Sequence, residues 1–299
     1  MVTGSYDKTL CLWNSKDGVV LKKMKEHRAQ VTAVAVSGNS RLIASGDWDG
    51  KLIAWDGDTG ESLEIIEAHH KVITSLDFSP DSAVLVTVSH EGTIKSWRTD
   101  TWQIIGNPIY VGERIYCVRF SPSGKFLAIA TIQHVQICNS SAGLECIAEI
   151  TAFSYSLAWT PDGTRLLTGN FNHTIREWDT STWKQVGDSW SGHTNTICDL
   201  AVNSTGTLLA SASRDNHVRL WRISDQRTVA AFCHSHAVCS ATFSVYRVTF
   251  SVNGEYILCG GADTNITEWR VPEDVLLEDK PNAQISSVSF SSFAIPLSI

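Results

Sequence analysis

The stretch HRAQVTAVAVSGNSRLIASGDWDGKLIAWDGDTGESLEIIEAH, residues 27–69, decides the fold. Its apolar residues alternate with small or polar ones over three strand-length segments, 31–36, 41–45 and 51–55, and more weakly over 62–66. Gly, Asn, Ser and Asp separate these segments, as they do in tight turns. The pattern therefore predicts four antiparallel strands joined by short turns.

Polar residues recur along the chain with one fixed spacing. His27 is followed by Ser45 at +18, by Asp49 at +22 and by Trp55 at +28. Two further sets have the same spacing: His69, Thr87, Glu91 and Trp97; and His193, Ser211, Asp215 and Trp221. A polar chain can be buried in a sheet only if every member has a partner. Because one set occurs per repeat, we interpret these sets as structural networks and not as catalytic triads, which occur once in one cleft.

These spacings resemble those of the WD-repeat β-propeller family, and the resemblance covers residues 2–291. It implies that in each set the Trp donates to the hydroxyl, the hydroxyl bonds the His, and the His bonds the acid. It also implies an all-β fold, a seven-bladed β-propeller built from four-stranded antiparallel blades.

The repeats predict a single propeller domain over residues 1–299, because internal repetition overrides the length-based expectation of two domains. The expected blades are 1–26 plus 282–291, 27–68, 69–110, 111–150, 151–192, 193–233 and 234–281. Segment 282–291 resembles segment 28–37 position for position. We therefore expect it to supply the missing first strand of blade one and to close the ring, which removes two open sheet edges.

Several blades depart from the repeat. Blade four has Cys138 where the Trp belongs, lacks the His and has a short turn near residues 132–134, so we expect apolar packing alone and lower local stability. Blades one and five also lack the His. Blade seven has Cys259 at the hydroxyl position, and its His and acid would be His234 and Asp263 if seven residues are discounted.

Those seven residues come from a tandem duplication. CSATFSV, residues 239–245, is followed directly by YRVTFSV, residues 246–252. Either copy could form the inner strand. We favour the second copy, because Asn253 and Gly254 follow it as the expected turn. The apolar residues 293–299 have no place in the repeat.

Composition limits the kind of partner. The formal net charge is −7 and the isoelectric point is near 5.8, which argues against general nucleic-acid binding. No apolar segment has transmembrane length, and the N-terminus lacks a signal-peptide pattern, so a cytoplasmic or nuclear protein is expected. The eight cysteines contain no C-x-x-C. Five fall within predicted strands and are interpreted as small buried apolar residues in a reducing compartment: Cys11, Cys117, Cys138, Cys198 and Cys259.

No catalytic or nucleotide-binding motif occurs in the chain. His69 with His70, and His234 with His236, could be metal ligands, but the repeat already gives His69 and His234 a structural role. We therefore expect no enzyme activity, no cofactor and no metal. A propeller enzyme is kept as a minor alternative.

The family resemblance places one set of residues on the narrower face of the propeller: the residue before each turn acid and the residues at +3 and +5 from each His. This interaction face comprises Tyr6, Trp48, His90, Arg114, Tyr116, Phe153, Tyr155, Phe171, Arg214 and Tyr246. Tight turns usually carry small polar residues. Large rings and arginines in these turns are instead typical of protein-binding hot spots, although a single ring could also pack on the neighbouring blade.

The sequence therefore favours a non-catalytic scaffold for a peptide or protein partner, monomeric within a larger complex, with neither a membrane nor a nucleic acid as its target. An alternative is the sensor or regulatory repeat region of a larger signalling protein, for example one linked to an NTPase. That alternative comes from the start and end of the chain in the middle of a repeat.

Overall fold

The computed structural model describes residues 1–14, 18–140, 143–233, 245–251, 253–261, 266–278 and 293–295. The chain forms two compact units, Met1–Ser154 and Tyr155–Ile299. Regular structure in the described residues is almost entirely β, in seven antiparallel sheets, each of which is one blade. The predicted all-β, seven-bladed fold is therefore confirmed, while the assignment of one domain to the whole chain stays a prediction.

The first unit holds blades one to four. Blade one has three described strands: β1 (Val2–Gly4), β2 (Leu10–Trp13) and β3 (Val20–Met24). Blade two has β4 (Val31–Val36), β5 (Leu42–Asp47), β6 (Lys51–Asp56) and β7 (Ser62–Glu67). Blade three has β8 (Ile73–Phe78), β9 (Val84–Ser89), β10 (Thr93–Arg98) and β11 (Ile109–Tyr110). Blade four has β12 (Ile115–Phe120), β13 (Phe126–Thr131), β14 (Val135–Asn139) and β15 (Cys146–Ile150).

Blade five begins at the unit boundary with β16 (Ser154–Trp159), β17 (Arg165–Asn170) and β18 (Ile175–Asp179). Its fourth edge consists of two isolated bridges, Ile175 to Trp190 and Trp178 to Gln185. Blade six has β19 (Ile197–Val202), β20 (Leu208–Ser213), β21 (His217–Arg222) and β22 (Arg227–Cys233). Blade seven has β23 (Val245–Phe250), β24 (Tyr256–Gly261), β25 (Ile266–Arg270) and β26 (Phe293–Ile295), with the helix α1 (Glu273–Glu278) after β25.

Burial changes from strand to strand across a blade. In blade two, residues 43–47 of β5 are all buried, because this strand is covered on both faces. The outer strand β7 is mostly exposed, with Leu63 at 48% and Ile65 at 46%. Apolar side chains of adjacent blades share one core, as Leu10 of blade one does with Trp55 of blade two. The blades are therefore held by side-to-side packing, and their turns are free to carry other residues.

Neighbouring blades of the first unit are also joined by hydroxyl groups. The Thr32 Oγ1 of blade two donates to the Ile73 carbonyl of blade three at 2.6 Å. The Thr74 Oγ1 of blade three donates to the Ile115 carbonyl of blade four at 2.7 Å. Since the same bond recurs one repeat later, it fixes the offset between successive blades.

Blade four replaces the polar network with apolar side chains, as its sequence predicts. Ile129 stands at the hydroxyl position and Cys138 at the Trp position, and both are buried. Val111 stands at the His position and packs against the same cluster. Burial raises the pKa of Cys138 to about 12. The centre of this blade is therefore an uncharged column of side chains.

Blade seven shows which copy of the duplication forms the inner strand. β23 consists of the last residue of the first copy and five residues of the second, and Phe250 pairs with Ile257 of β24. β26 pairs with β25, so part of the unplaced tail supplies the fourth strand of this blade. The predicted closing strand 282–291, His234 and Asp263 lie outside the described residues.

Candidate interaction face and its supporting network

Blade two contains a buried chain of hydrogen bonds. The Trp55 Nε1 donates to the Ser45 Oγ at 2.8 Å, and the Ser45 Oγ lies 2.7 Å from the His27 Nε2. The His27 Nδ1 lies 2.8 Å from the Asp47 Oδ2. Because the Nδ1 faces a carboxylate, it carries the ring proton, and the Nε2 accepts from serine. Every polar atom of this chain has a partner, which is the condition for burying it.

The sequence prediction gave the acid position in blade two to Asp49, and this is wrong. Asp47, two residues earlier, binds His27 and also accepts from the backbone N–H groups of Asp49 and Lys51, at 3.1 and 2.9 Å. Asp47 is the last residue of β5 and is 1% exposed, whereas Asp49 is exposed in the turn that follows. The strand end lies nearer to the imidazole, so the buried carboxylate takes the bond.

In blades three and six, the acid that bonds the histidine lies at the position that corresponds to Asp49, two residues after the position of Asp47. The Asp215 Oδ2 of blade six lies 2.8 Å from the His193 Nδ1. In blade three the Glu91 Oε1 is at 3.2 Å from the His69 Nδ1, and the Thr93 Oγ1 is closer, at 2.7 Å. The longer distance to Glu91 agrees with its extra methylene group, and Thr93 shares the ring proton.

The hydroxyl and Trp positions of these two blades repeat the geometry of blade two. The His69 Nε2 lies 2.8 Å from the Thr87 Oγ1, which accepts from the Trp97 Nε1 at 3.0 Å. The corresponding distances for His193, Ser211 and Trp221 are 2.7 and 2.8 Å. Blades one and five keep only the Trp-to-hydroxyl bond, from Trp13 to Thr3 at 2.8 Å and from Trp178 to Thr168 at 3.1 Å.

The first unit presents exposed rings of the interaction face. Tyr6 is 61% exposed, Trp48 is 52% exposed and Phe153 is 55% exposed. Tyr6 and Trp48 occupy corresponding turn positions in blades one and two. Side chains of this size are normally buried, so two exposed rings at corresponding turns are an unusual feature of this surface.

Another pair of rings of this face lies in blades three and four. His90 packs edge-to-face on Tyr116, with ring centroids 5.4 Å apart and an interplanar angle of 80°. Burial and the positive charges of Arg114 and Lys71 lower the pKa of His90. Arg114 itself is exposed. This part of the interaction face therefore carries a neutral imidazole beside a guanidinium.

In the second unit, three residues of the interaction face form one cluster. The rings of Tyr155 and Phe171 lie 4.3 Å apart between centroids. The Arg214 guanidinium lies 5.5 Å from the centroid of Tyr155, and its Nη2 is 3.4 Å from the Tyr155 hydroxyl. Tyr246 is on β23, and its side chain lies outside the described residues.

A family model for the WD domain, G-beta repeat, matches residues 18–56, 60–98, 145–179, 184–222 and 228–270, which is more than half of the chain. The chain belongs to the WD-repeat family. Within the first unit the match leaves out residues 1–17, 57–59 and 99–144, and the last of these gaps contains most of blade four, in agreement with its apolar centre. The matched regions 145–179 and 184–222 include Trp178 of blade five and Trp221 of blade six, which donate the hydrogen bonds to Thr168 and Ser211.

Three curated WD-repeat relatives show how far the similarity extends. Protein transport protein SEC13 of Chaetomium thermophilum is 29% identical over 36% of this chain and 36% of its own length. COMPASS component SWD3 of Saccharomyces cerevisiae is 27% identical over 48% of this chain and 47% of its own length. Pre-mRNA-processing factor 19 homolog 2 of Arabidopsis thaliana is 24% identical over 51% of this chain and 28% of its own length. The WD-repeat chain thus matches less than half of each relative.

The networks of this WD-repeat chain are not suited to catalysis. The hydroxyl-bearing Ser45, Thr87 and Ser211 are each 0% exposed, so no substrate can approach them. Among the described residues, no group of three His, Cys, Asp or Glu is arranged to hold a metal ion. No helix in the described part of the chain has the length and hydropathy needed to cross a membrane.

Sequence reasoning missed two residues near the interaction face. Asp47 was missed because Asp47 and Asp49 both flank Trp48, and spacing alone favoured the second. Tyr110, on the outer strand β11, is 70% exposed and lies beside the turn at Gly92. Tyr110 is a large ring in an edge strand, a position that the turn positions of the repeat do not indicate.

The His69 network predicts a pH-dependent stability. Burial lowers the pKa of His69 from the ordinary value of 6.5 to about 4, against the opposing effect of Glu91. The unfolded chain therefore binds more protons than the folded chain between these values, and stability falls as the pH decreases through this window. The contribution of His69 is about 3 kcal/mol.

This contribution can be measured as the difference in the free energy of urea unfolding between pH near 7 and pH near 4.5. His69→Gln is expected to reduce that difference by at least about 2 kcal/mol. His70→Gln, at the exposed neighbouring residue, is the control and should leave it unchanged. An equal reduction in both variants would contradict the assignment of the effect to the buried ring.

Proposed function

We propose that this WD-repeat chain is a non-catalytic scaffold that binds a protein or peptide partner through its interaction face. The observation that carries the proposal is the exposure of large rings at corresponding turns, with Trp48 at 52% and Tyr6 at 61%. Aromatic residues that cluster on a rigid surface supply most of the energy of protein–protein binding. The network of His27, Ser45, Asp47 and Trp55 holds the turn that carries Trp48 in place.

The cluster of Tyr155, Phe171 and Arg214 supports the same function. Its side chains already hold one another in contact, at 4.3 Å between the two rings and 5.5 Å from the guanidinium to Tyr155. Binding to a pre-ordered cluster loses less side-chain entropy than binding to mobile side chains. A partner that offers an apolar group beside an acidic one would complement it.

The relatives and the cysteines support a place for this scaffold in a larger assembly inside the cell. One relative is called a component of COMPASS and another a protein transport protein. The cysteines in the described ranges form no disulfide with one another, and Cys146 and Cys233 are exposed. Exposed cysteines outside disulfides are typical of a reducing compartment. We therefore place the scaffold in the cytoplasm or the nucleus.

The proposal predicts that Trp48→Ala/Phe171→Ala will lose partners. Each truncation of a central interface ring typically costs more than 1 kcal/mol, so retention should fall by about tenfold or more. The measurement is affinity capture from lysate with quantitative mass spectrometry of the retained proteins, wild type beside variant.

A matched control is Leu63→Ala/Ile65→Ala on the outer strand β7, where both side chains are about as exposed as Trp48. This variant removes exposed apolar surface but leaves the interaction face intact, so it should retain the wild-type partners. Loss of partners from the β7 variant alone would place binding on the outer strands and contradict the proposal.

A further inference from the structure

Asp49 is an acid that the repeat network does not use. In blades three and six, Glu91 and Asp215 at the corresponding turn position bond to the buried histidine. In blade two, Asp47 makes that bond instead. The Asp49 carboxylate is exposed and has no hydrogen-bond or ion-pair partner among the described residues. The Asp49 carboxylate is therefore available to bind a partner, whereas Glu91 and Asp215 are already bonded to their histidines.

The residue before Asp49 is the exposed Trp48. Its indole is 52% exposed, and its Nε1 has no hydrogen-bond partner among the residues that the structure describes. The two residues occupy the centre of a turn that is closed by a hydrogen bond from the Gly50 N–H to the Asp47 carbonyl at 3.2 Å. The backbone N–H of Trp48 also donates to the Gln30 carbonyl at 2.9 Å. A turn with a fixed backbone thus carries an exposed ring and an exposed carboxylate on consecutive residues.

The other turns lack this combination. In blade one, Tyr6 precedes Asp7, but Asp7 is paired with Lys23 at 3.1 Å. In blade five, Phe171 precedes the neutral Asn172. In blade six, the residue before the acid is Arg214, which would repel a cation. Among these turns, blade two is the one that offers an exposed ring together with an unpaired negative charge.

An exposed indole next to a carboxylate is complementary to a guanidinium group. Arginine is planar and weakly hydrated, so it can stack on the indole while its N–H groups donate to the carboxylate. We propose that Trp48 and Asp49 form a binding subsite for an arginine side chain of the partner protein. The negative net charge of the chain, −7, also favours a basic partner segment. This inference rests on the proposed function and specifies the chemistry of the partner at one point of the interaction face.

The test is a ¹⁹F NMR titration of the full chain labelled with 5-fluorotryptophan, in which Trp48→Phe assigns the Trp48 resonance. The probe is Nα-acetyl-arginine amide, and its neutral isostere is Nα-acetyl-citrulline amide. The Trp48 resonance should shift saturably with the arginine compound and not with the citrulline compound. Asp49→Asn should weaken the binding by about threefold at low salt, the effect expected of one exposed charge pair.

Glu61→Gln, at an exposed acid elsewhere in blade two, is the matched control and should leave the titration unchanged. Unchanged positions of the other tryptophan resonances show that Asp49→Asn is folded. The inference is overturned if the Trp48 resonance does not move, if both compounds move it equally, or if Asp49→Asn binds as tightly as wild type.

The two proposals can fail separately. If arginine does not bind but Trp48→Ala/Phe171→Ala still loses its partners, the scaffold function holds and the arginine subsite is wrong. If arginine binds at Trp48 but the double variant retains every partner, the subsite holds and the interaction face is not the docking surface.

Discussion

Asp47→Ala is expected to lower the free energy of unfolding by about 3 kcal/mol, while Asp49→Ala changes it by less than about 0.5 kcal/mol. Asp47 accepts hydrogen bonds from His27 and from the backbone N–H groups of Asp49 and Lys51. Its removal leaves a buried ring N–H without an acceptor and releases the turn. Asp49 is exposed and lacks such bonds, so its truncation removes little from the fold.

Urea unfolding of the two variants beside wild type measures this difference. Asp49→Ala is the matched control for Asp47→Ala, because each substitution removes one carboxylate from the same turn. If Asp49→Ala were the more destabilising change, the acid assigned from sequence spacing would be the true partner of His27.

Gly50→Ala is expected to be the most damaging substitution in the same turn, at more than about 4 kcal/mol. Gly50 has a φ of +87°, and a Cβ at this position would lie 2.2 Å from the His69 carbonyl oxygen and 2.8 Å from the Lys71 carbonyl oxygen. Backbone atoms cannot move aside as a flexible side chain can. The turn and the segment that leads into blade three would have to separate.

Gly112→Ala separates the clash from the cost of the backbone conformation. Gly112 has a φ of +85°, and nothing lies within 4 Å of its Cβ position. Gly112→Ala should lower the free energy of unfolding by only about 1–2 kcal/mol, which is the cost of the left-handed backbone conformation for a residue with a Cβ. Thermal or urea unfolding of both variants gives the comparison, and equal losses would show that contact with the 69–71 segment does not matter.

The fold could be predicted from sequence because the repeat gives the same information several times. The alternation of apolar and polar residues predicts the strands, and Gly and Asn predict the turns. The spacing from His193 to Trp221 predicts the hydrogen-bonded network of blade six. The same reasoning anticipated the apolar centre of blade four from Cys138. Each of these features depends on local pattern, which a sequence shows directly.

The acid of blade two could not be predicted in this way. Asp47 and Asp49 follow His27 by 20 and 22 residues, and which of them bonds the imidazole depends on which carboxylate the strand end buries. Likewise, the contact between Tyr155, Phe171 and Arg214 joins residues from three different strands or turns, and no spacing reports such a distance. The interaction face thus remains a prediction, since its members were placed by resemblance and partner binding is a property of the assembled surface.

The centre of blade four is the uncharged column of Val111, Ile129 and Cys138, so a change of pH affects it less than it affects the centre of blade three. Acid that protonates the His69 network of blade three has no group to titrate at the centre of blade four, and the thiol, with a pKa of about 12, stays neutral in mild alkali. The repeat that departs most from the family pattern is therefore the one whose central column has no histidine or carboxylate to titrate. As the pH falls toward 4, blade three loses the stabilisation that depends on a neutral His69, whereas the central column of blade four has no such contribution to lose.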